Sequence, residues 1–123
     1  MKICIIDDDK IYQLLMRKLI SKIDANITVK VFCNGEDAFN FYKENTCTSE
    51  IILLDINMPK MNGWKFLDNI EEKKFKNSKI YLTTSSIAYS DKEKAKKYSI
   101  IEDYLVKPLT KEKIRELIKP YII

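Results

Sequence analysis

Residues 5–10 read "IIDDDK": two branched apolar side chains, then three consecutive carboxylates, Asp7, Asp8 and Asp9. The isoleucines close a strand-length apolar run, "ICII" at 3–6, and such a run ends where polar residues begin. Three like charges this close repel one another unless solvent or a cation stands between them. The pattern is that of a buried strand delivering acidic groups to its own carboxyl end.

Four further apolar runs of strand length follow, at 29–32 ("VKVF"), 51–54 ("IILL"), 80–82 ("IYL") and 104–106 ("YLV"), separated by longer segments with helical spacing. Five strands alternating with five helices predict an α/β fold: a parallel sheet covered on both faces by right-handed crossovers. In the first helix Ile11, Leu14, Leu15, Leu19 and Ile23 recur at three- and four-residue steps, which predicts a core-facing stripe; Trp64, Phe66, Leu67 and Ile70 do the same in the third. "SDKE" at 90–93 reads as a capping box opening the fourth helix, Thr110 as the N-cap of the fifth, and Pro120 as its limit.

A length of 123 residues, 46% hydrophobic and 33% charged, predicts one domain over 1–123 with a single adequate core. The apolar runs are too short to cross a bilayer and the N-terminus lacks a secretory pattern, so a cytoplasmic protein away from membranes is expected. Cys4, Cys33 and Cys47 form neither a C-x-x-C pair nor a zinc cluster, and Cys4, inside a strand, reads as a small buried hydrophobe. There is no histidine, which excludes catalysis of the Ser-His-Asp or Cys-His type. The net charge of +4 arises in the second half: residues 1–64 hold 8 basic and 9 acidic side chains, residues 65–123 hold 14 and 9. Those lysines are mixed with acids and few aromatics interleave them, so they read as solvated helix faces and no direct nucleic-acid binding is expected.

In an open α/β sheet, functional groups gather outside the carboxyl ends of the strands. The first strand ends in Asp7 and Asp8, the third in Asp55, the fourth in Thr83 and Thr84, and the fifth in Lys107. The second, ending at Phe32 and Cys33, supplies nothing chemical. Hard oxygen ligands without imidazole or thiolate suit magnesium, which takes one or two carboxylates and keeps several waters. Asp55 precedes "INMPKMNG", where Pro59 and Gly63 predict a restricted loop able to hold backbone carbonyls toward a cation. With a metal neutralising incoming charge, Asp55 suits a nucleophile toward a phosphoryl group, Lys107 a partner for a phosphoryl oxygen, and a threonine hydroxyl a second donor.

The strings "IIDDD", "LLDINMPKMNGW", "IYLTTSS" and "DYLVKP", in this order, make the chain resemble the receiver domain of bacterial two-component response regulators over essentially its whole length. The loop string D-x-x-M-P-x-M-x-G is the most specific of them. The resemblance implies a flavodoxin-like, doubly wound five-stranded parallel sheet of order 2-1-3-4-5. It implies that Asp55 accepts a phosphoryl group from a phosphohistidine on a sensor histidine kinase or histidine phosphotransfer protein. Asp7, Asp8 and Asp55, with the backbone carbonyl of Asn57, would hold Mg2+. Lys107, followed by Pro108, matches the family's lysine, Thr83 its switch hydroxyl and Tyr104 the aromatic that moves inward on activation. "KKYSIIEDY" replaces the usual glycine-containing turn before the fifth strand and lengthens the span to Lys107, so Thr84 competes with Thr83 for the switch position.

Such a chain is a signalling module with at most self-phosphorylation and self-dephosphorylation activity. It would change which protein it binds through its fourth helix, fifth strand and fifth helix. Ending at "KPYII", it is either a stand-alone receiver or one domain of a longer protein. Two alternatives stand beside this reading. An aspartate-nucleophile phosphatase of the haloacid dehalogenase type uses similar groups but places its nucleophile after the first strand as D-x-D-x-T, where this chain has "DDDKI". A phosphorylation-independent adaptor of receiver shape would be expected to lack one of the site groups, and here all are present.

Overall fold

The computed structural model describes residues 1–85 and 89–122, Tyr89 by its backbone alone. Strands and helices alternate along the chain as β1 (Lys2–Ile6), α1 (Lys10–Ile23), β2 (Thr28–Phe32), α2 (Gly35–Glu44), β3 (Ile51–Asp55), α3 (Gly63–Asn69), β4 (Lys79–Thr84), α4 (Tyr89–Ala95), β5 (Ile101–Val106) and α5 (Lys111–Ile118). The strands are all parallel, in the order β2-β1-β3-β4-β5, as the resemblance implies. β3 lies at the centre and all five of its residues are buried, which is why "IILL" runs apolar without alternation. No helix among the described residues is long and apolar enough to cross a membrane.

Successive side chains of a strand point to opposite faces, so the sheet divides the core in two. Ile3, Ile5, Ile51, Leu53, Tyr81 and Leu105 pack against Tyr12, Met16 and Ile20 of α1 and Ile114 and Ile118 of α5. Cys4, Ile6, Ile52, Leu54, Ile80 and Leu82 pack against Ala38 and Tyr42 of α2, Trp64, Phe66 and Leu67 of α3, and Ala95 of α4. Cys4 is fully buried, as expected of a small hydrophobe, and burial holds its thiol up at about 12.

The stripe expected on α1 is not the one that faces the core. Ile11, Leu14 and Leu15 are exposed, Leu19 and Ile23 half-buried, and the buried residues are Tyr12, Met16 and Ile20. Apolar residues surround most of this helix, so spacing alone admits more than one phase. The phase is fixed at the helix start, where Asp9 Oδ1 accepts from the Ile11 and Tyr12 amides at 2.9 and 3.1 Å. Thr110 caps α5 as expected, accepting from the Lys113 amide at 3.1 Å. Ser90, expected to open α4 as its cap, lies instead within its first turn, one residue past the helix start at Tyr89.

Candidate functional site

The alternation that builds the core beside α1 and α5 continues past its last apolar layer into polar residues. After Ile3 and Ile5 comes Asp7, after Ile51 and Leu53 comes Asp55, after Tyr81 comes Thr83, and after Leu105 comes Lys107. The register pairs Asp55 with Thr83 and Thr83 with Leu105, so these side chains share one face at the carboxyl ends. Thr84 takes the opposite face, where its hydroxyl lies beside Tyr104. The fold thereby separates the two threonines that sequence left in competition.

Lys107 Nζ donates to Asp7 Oδ2 at 2.5 Å and stands 3.4 Å from Asp55 Oδ1. Asp7 is 1% exposed and Asp55 6%, whereas Asp8 is open to solvent. Asp7, Asp8 and Asp55 each bring a carboxylate oxygen within 4.8 Å of the others. Three carboxylates thus face one ammonium, and the imbalance is felt at Asp55. Burial, and then the charge of Asp7, push its carboxyl up to about 6, against the pull of Lys107. A small hard cation with oxygen preference fits this donor set and its excess of negative charge.

Asp9, the third member of the opening triplet, is not part of the cluster. Its carboxylate caps α1, and its amide donates to Asp7 Oδ1 at 2.9 Å. Gln13 Nε2, one turn into the helix, donates to the Asp7 carbonyl at 2.5 Å, which ties α1 to the end of β1.

The loop after Asp55 is held by both glycines of the chain. Gly63 N donates to the Ile56 carbonyl at 2.8 Å, and a Cβ there would stand 2.6 Å from the Asp55 carbonyl oxygen. A Cβ on Gly35, at the start of α2, would collide with the Met61 carbonyl. Only residues without a side chain let the start of α2 approach the loop, and the start of α3 approach the end of β3, this closely. Between them the Met61 amide donates to the Pro59 carbonyl at 2.8 Å, and Lys60 adopts φ 66°, a left-handed conformation uncommon outside glycine. Asn57 sits exposed at the mouth of this loop, two residues past Asp55. Gly63 was legible as a turn signal; Gly35, whose role is a contact across 26 residues of sequence, was not.

Residues 3–119 match the family model of the response regulator receiver domain. The chain belongs to this family. Over 120 residues it is 29% identical to a probable C4-dicarboxylate response regulator DctR of Halalkalibacterium halodurans, covering 98% of this chain and 50% of that one. Over 115 residues it is 29% identical to the sensor histidine kinase CheAY of Helicobacter pylori, covering 93% of this chain and 14% of that one. The chain therefore spans half or less of the length of these curated relatives. The crystal structure of a two-component response regulator from Cytophaga hutchinsonii superposes with a TM-score of 0.82 at 27% identity, covering 97% of this chain and 94% of that one. Receiver domains are signalling modules of two-component phosphorelays that interact with histidine kinases or phosphotransfer proteins. Membership removes the haloacid dehalogenase alternative.

Proposed function

We propose that residues 1–123 act as one receiver unit in which Asp55 is the phosphoacceptor, and that its donor is a phosphohistidine on a sensor histidine kinase or phosphotransfer protein. One observation carries the reading: Asp55 ends the central strand buried, shares Lys107 with Asp7, and faces the Thr83 hydroxyl across adjacent strands. Asp7, Asp8 and Asp55, with the Asn57 carbonyl, would hold Mg2+. The ion supplies neutralisation of the phosphoryl charge when bound. An Asp55 oxygen attacks phosphorus as the bond from phosphorus to the donor's imidazole nitrogen breaks. Lys107 pairs with a phosphoryl oxygen and Thr83 donates to another.

The donor must reach Asp55 past Asp8 and the first turns of α1, where Ile11, Leu14 and Leu15 expose apolar surface. The downstream protein target reads a different face, made by α4, β5 and α5. An open pocket of about 340 Å³ lies there between α4 and β5, lined by Lys92, Lys96, Asp103 and Tyr104 among others. Tyr104 is half-buried at its edge, beside Thr84 on the opposite face from Thr83, and would move inward as the end of β4 shifts when a phosphoryl group draws the Thr83 hydroxyl toward Asp55. The site of action is the cytoplasm.

Treatment with a small phosphodonor and magnesium, followed by intact-mass analysis, tests the reading. The native protein should gain one phosphoryl group, with no gain without magnesium and none in Asp55→Asn. Labelling of Asp55→Asn at the native rate contradicts the assignment. A native protein that is never labelled points instead to the adaptor.

A further inference from the structure

Among the described residues, two buried side-chain hydroxyls have no hydrogen-bond partner: Tyr12 Oη and Thr83 Oγ1. Buried polar groups are paired in the great majority of cases, and an orphan calls for a reason. Tyr12 is on the inner face of α1 and 9% exposed. The Lys107 ammonium stands 4.3 Å from the centre of its ring, within the range of a cation–π contact. Burial raises its phenol first, the charges of Asp7 and Asp55 raise it further, and the neighbouring Thr83 hydroxyl lowers it, so the two hydroxyls stand close together yet fall short of hydrogen-bond geometry. The phenol therefore enters, from the helix side, the same polar space that the strand ends enter from below.

Leucine or phenylalanine would fill this core position without leaving a hydroxyl unpaired. A neutral phenol is one donor with acceptor capacity, and a threonine hydroxyl donates one hydrogen while accepting at its lone pairs. The Thr83 oxygen can accept in either state, but turning it to donate to an oxyanion on Asp55 orients its lone pairs away from that oxygen, where the Tyr12 hydroxyl can donate to them. Hydrogen bonds joined head to tail polarise and strengthen one another.

We propose that Tyr12 is a positioning residue of the phosphoacceptor site, whose hydroxyl donates to Thr83 Oγ1 while Thr83 donates to a phosphoryl oxygen on Asp55, and whose ring steadies Lys107. The resting state carries both hydroxyls unpaired and the phosphorylated state pairs both, so Tyr12 biases the equilibrium toward the switched arrangement. The inference rests on the reading of Asp55 as phosphoacceptor.

The test is the affinity for beryllium fluoride with magnesium, measured by calorimetry on the native protein, Tyr12→Phe, Thr83→Val and the double variant. Tyr12→Phe keeps the ring over Lys107 and removes only the hydroxyl. It should melt, without ligand, at the native temperature or above, and bind the phosphoryl mimic about five-fold more weakly. In the Thr83→Val background, where the acceptor is gone, Tyr12→Phe should change nothing further. Native affinity in Tyr12→Phe, or an equal loss with and without Thr83, overturns the inference while leaving Asp55 in its role. Failure of the native protein to bind the mimic overturns the phosphoacceptor reading and this one with it.

Discussion

The two sides of the sheet are built from the same strands and end differently. On the side of α1 and α5, the apolar ladder rises into Asp7, Asp55, Thr83 and Lys107, with charges out of balance and a hydroxyl unpaired. On the side of α2, α3 and α4 it rises into Thr84 and Tyr104, neighbours that already interact. One step along a strand separates Thr83 from Thr84, and that step moves a side chain from the face of the carboxylate cluster to the opposite, packed face. A site held away from its own optimum responds to a ligand; a satisfied one transmits by being displaced.

Removing the cation should disturb the first side most. Lys107→Ala leaves buried Asp7 and Asp55 without their positive partner and should cost about 3 kcal/mol of stability in urea unfolding. Magnesium should recover more stability in this variant than in the native protein. Equal stability of the two proteins would break the claim that this side is electrostatically poised.

Asp55→Asn acts in the other direction. Because the folded state raises the Asp55 carboxyl from 3.8 to about 6, the fold holds this proton to higher pH than the unfolded chain does. The group's contribution to stability is therefore greatest at low pH and falls as pH rises through that window. Without magnesium, Asp55→Asn should be about 2 kcal/mol more stable than the native protein at about pH 7, and nearly equal to it at about pH 4. A difference that does not change with pH contradicts the assigned shift.

The threonines give the smallest and sharpest contrast. Thr83→Val removes an unpaired hydroxyl and should leave the ligand-free protein as stable or more so, while weakening the response to beryllium fluoride. Thr84→Val removes a hydroxyl with a neighbour and should cost about 1 kcal/mol with the mimic still bound. Thermal melts and calorimetry on both variants decide it; the reverse pattern would exchange their roles.

Most of this site is legible in sequence because each of its groups is the first polar residue after an apolar strand run, and the strand order then does the assembling. Asp7, Asp55 and Lys107 needed no more than that. Three features did not follow. The phase of α1 is hidden because Ile11, Tyr12, Leu14, Leu15 and Met16 put apolar groups on several faces, and with the phase went the place of Tyr12 in the site. That Thr83, not Thr84, shares the face of Asp55 needed the register of β3 against β4. Gly35 opens a helix behind its cap Asn34 and carries no local sign of its contact with Met61, which only the packed loop reveals.

The central claim is that a charge at Asp55 on one side of the sheet is felt on the other. Amide exchange, or chemical-shift mapping, with and without beryllium fluoride and magnesium addresses it directly. Changes are expected at Asp55, Thr83 and Lys107, continuing through Tyr104 and across residues 83–119, with α2 little altered. Changes confined to the loop from Asp55 to Gly63 would contradict it.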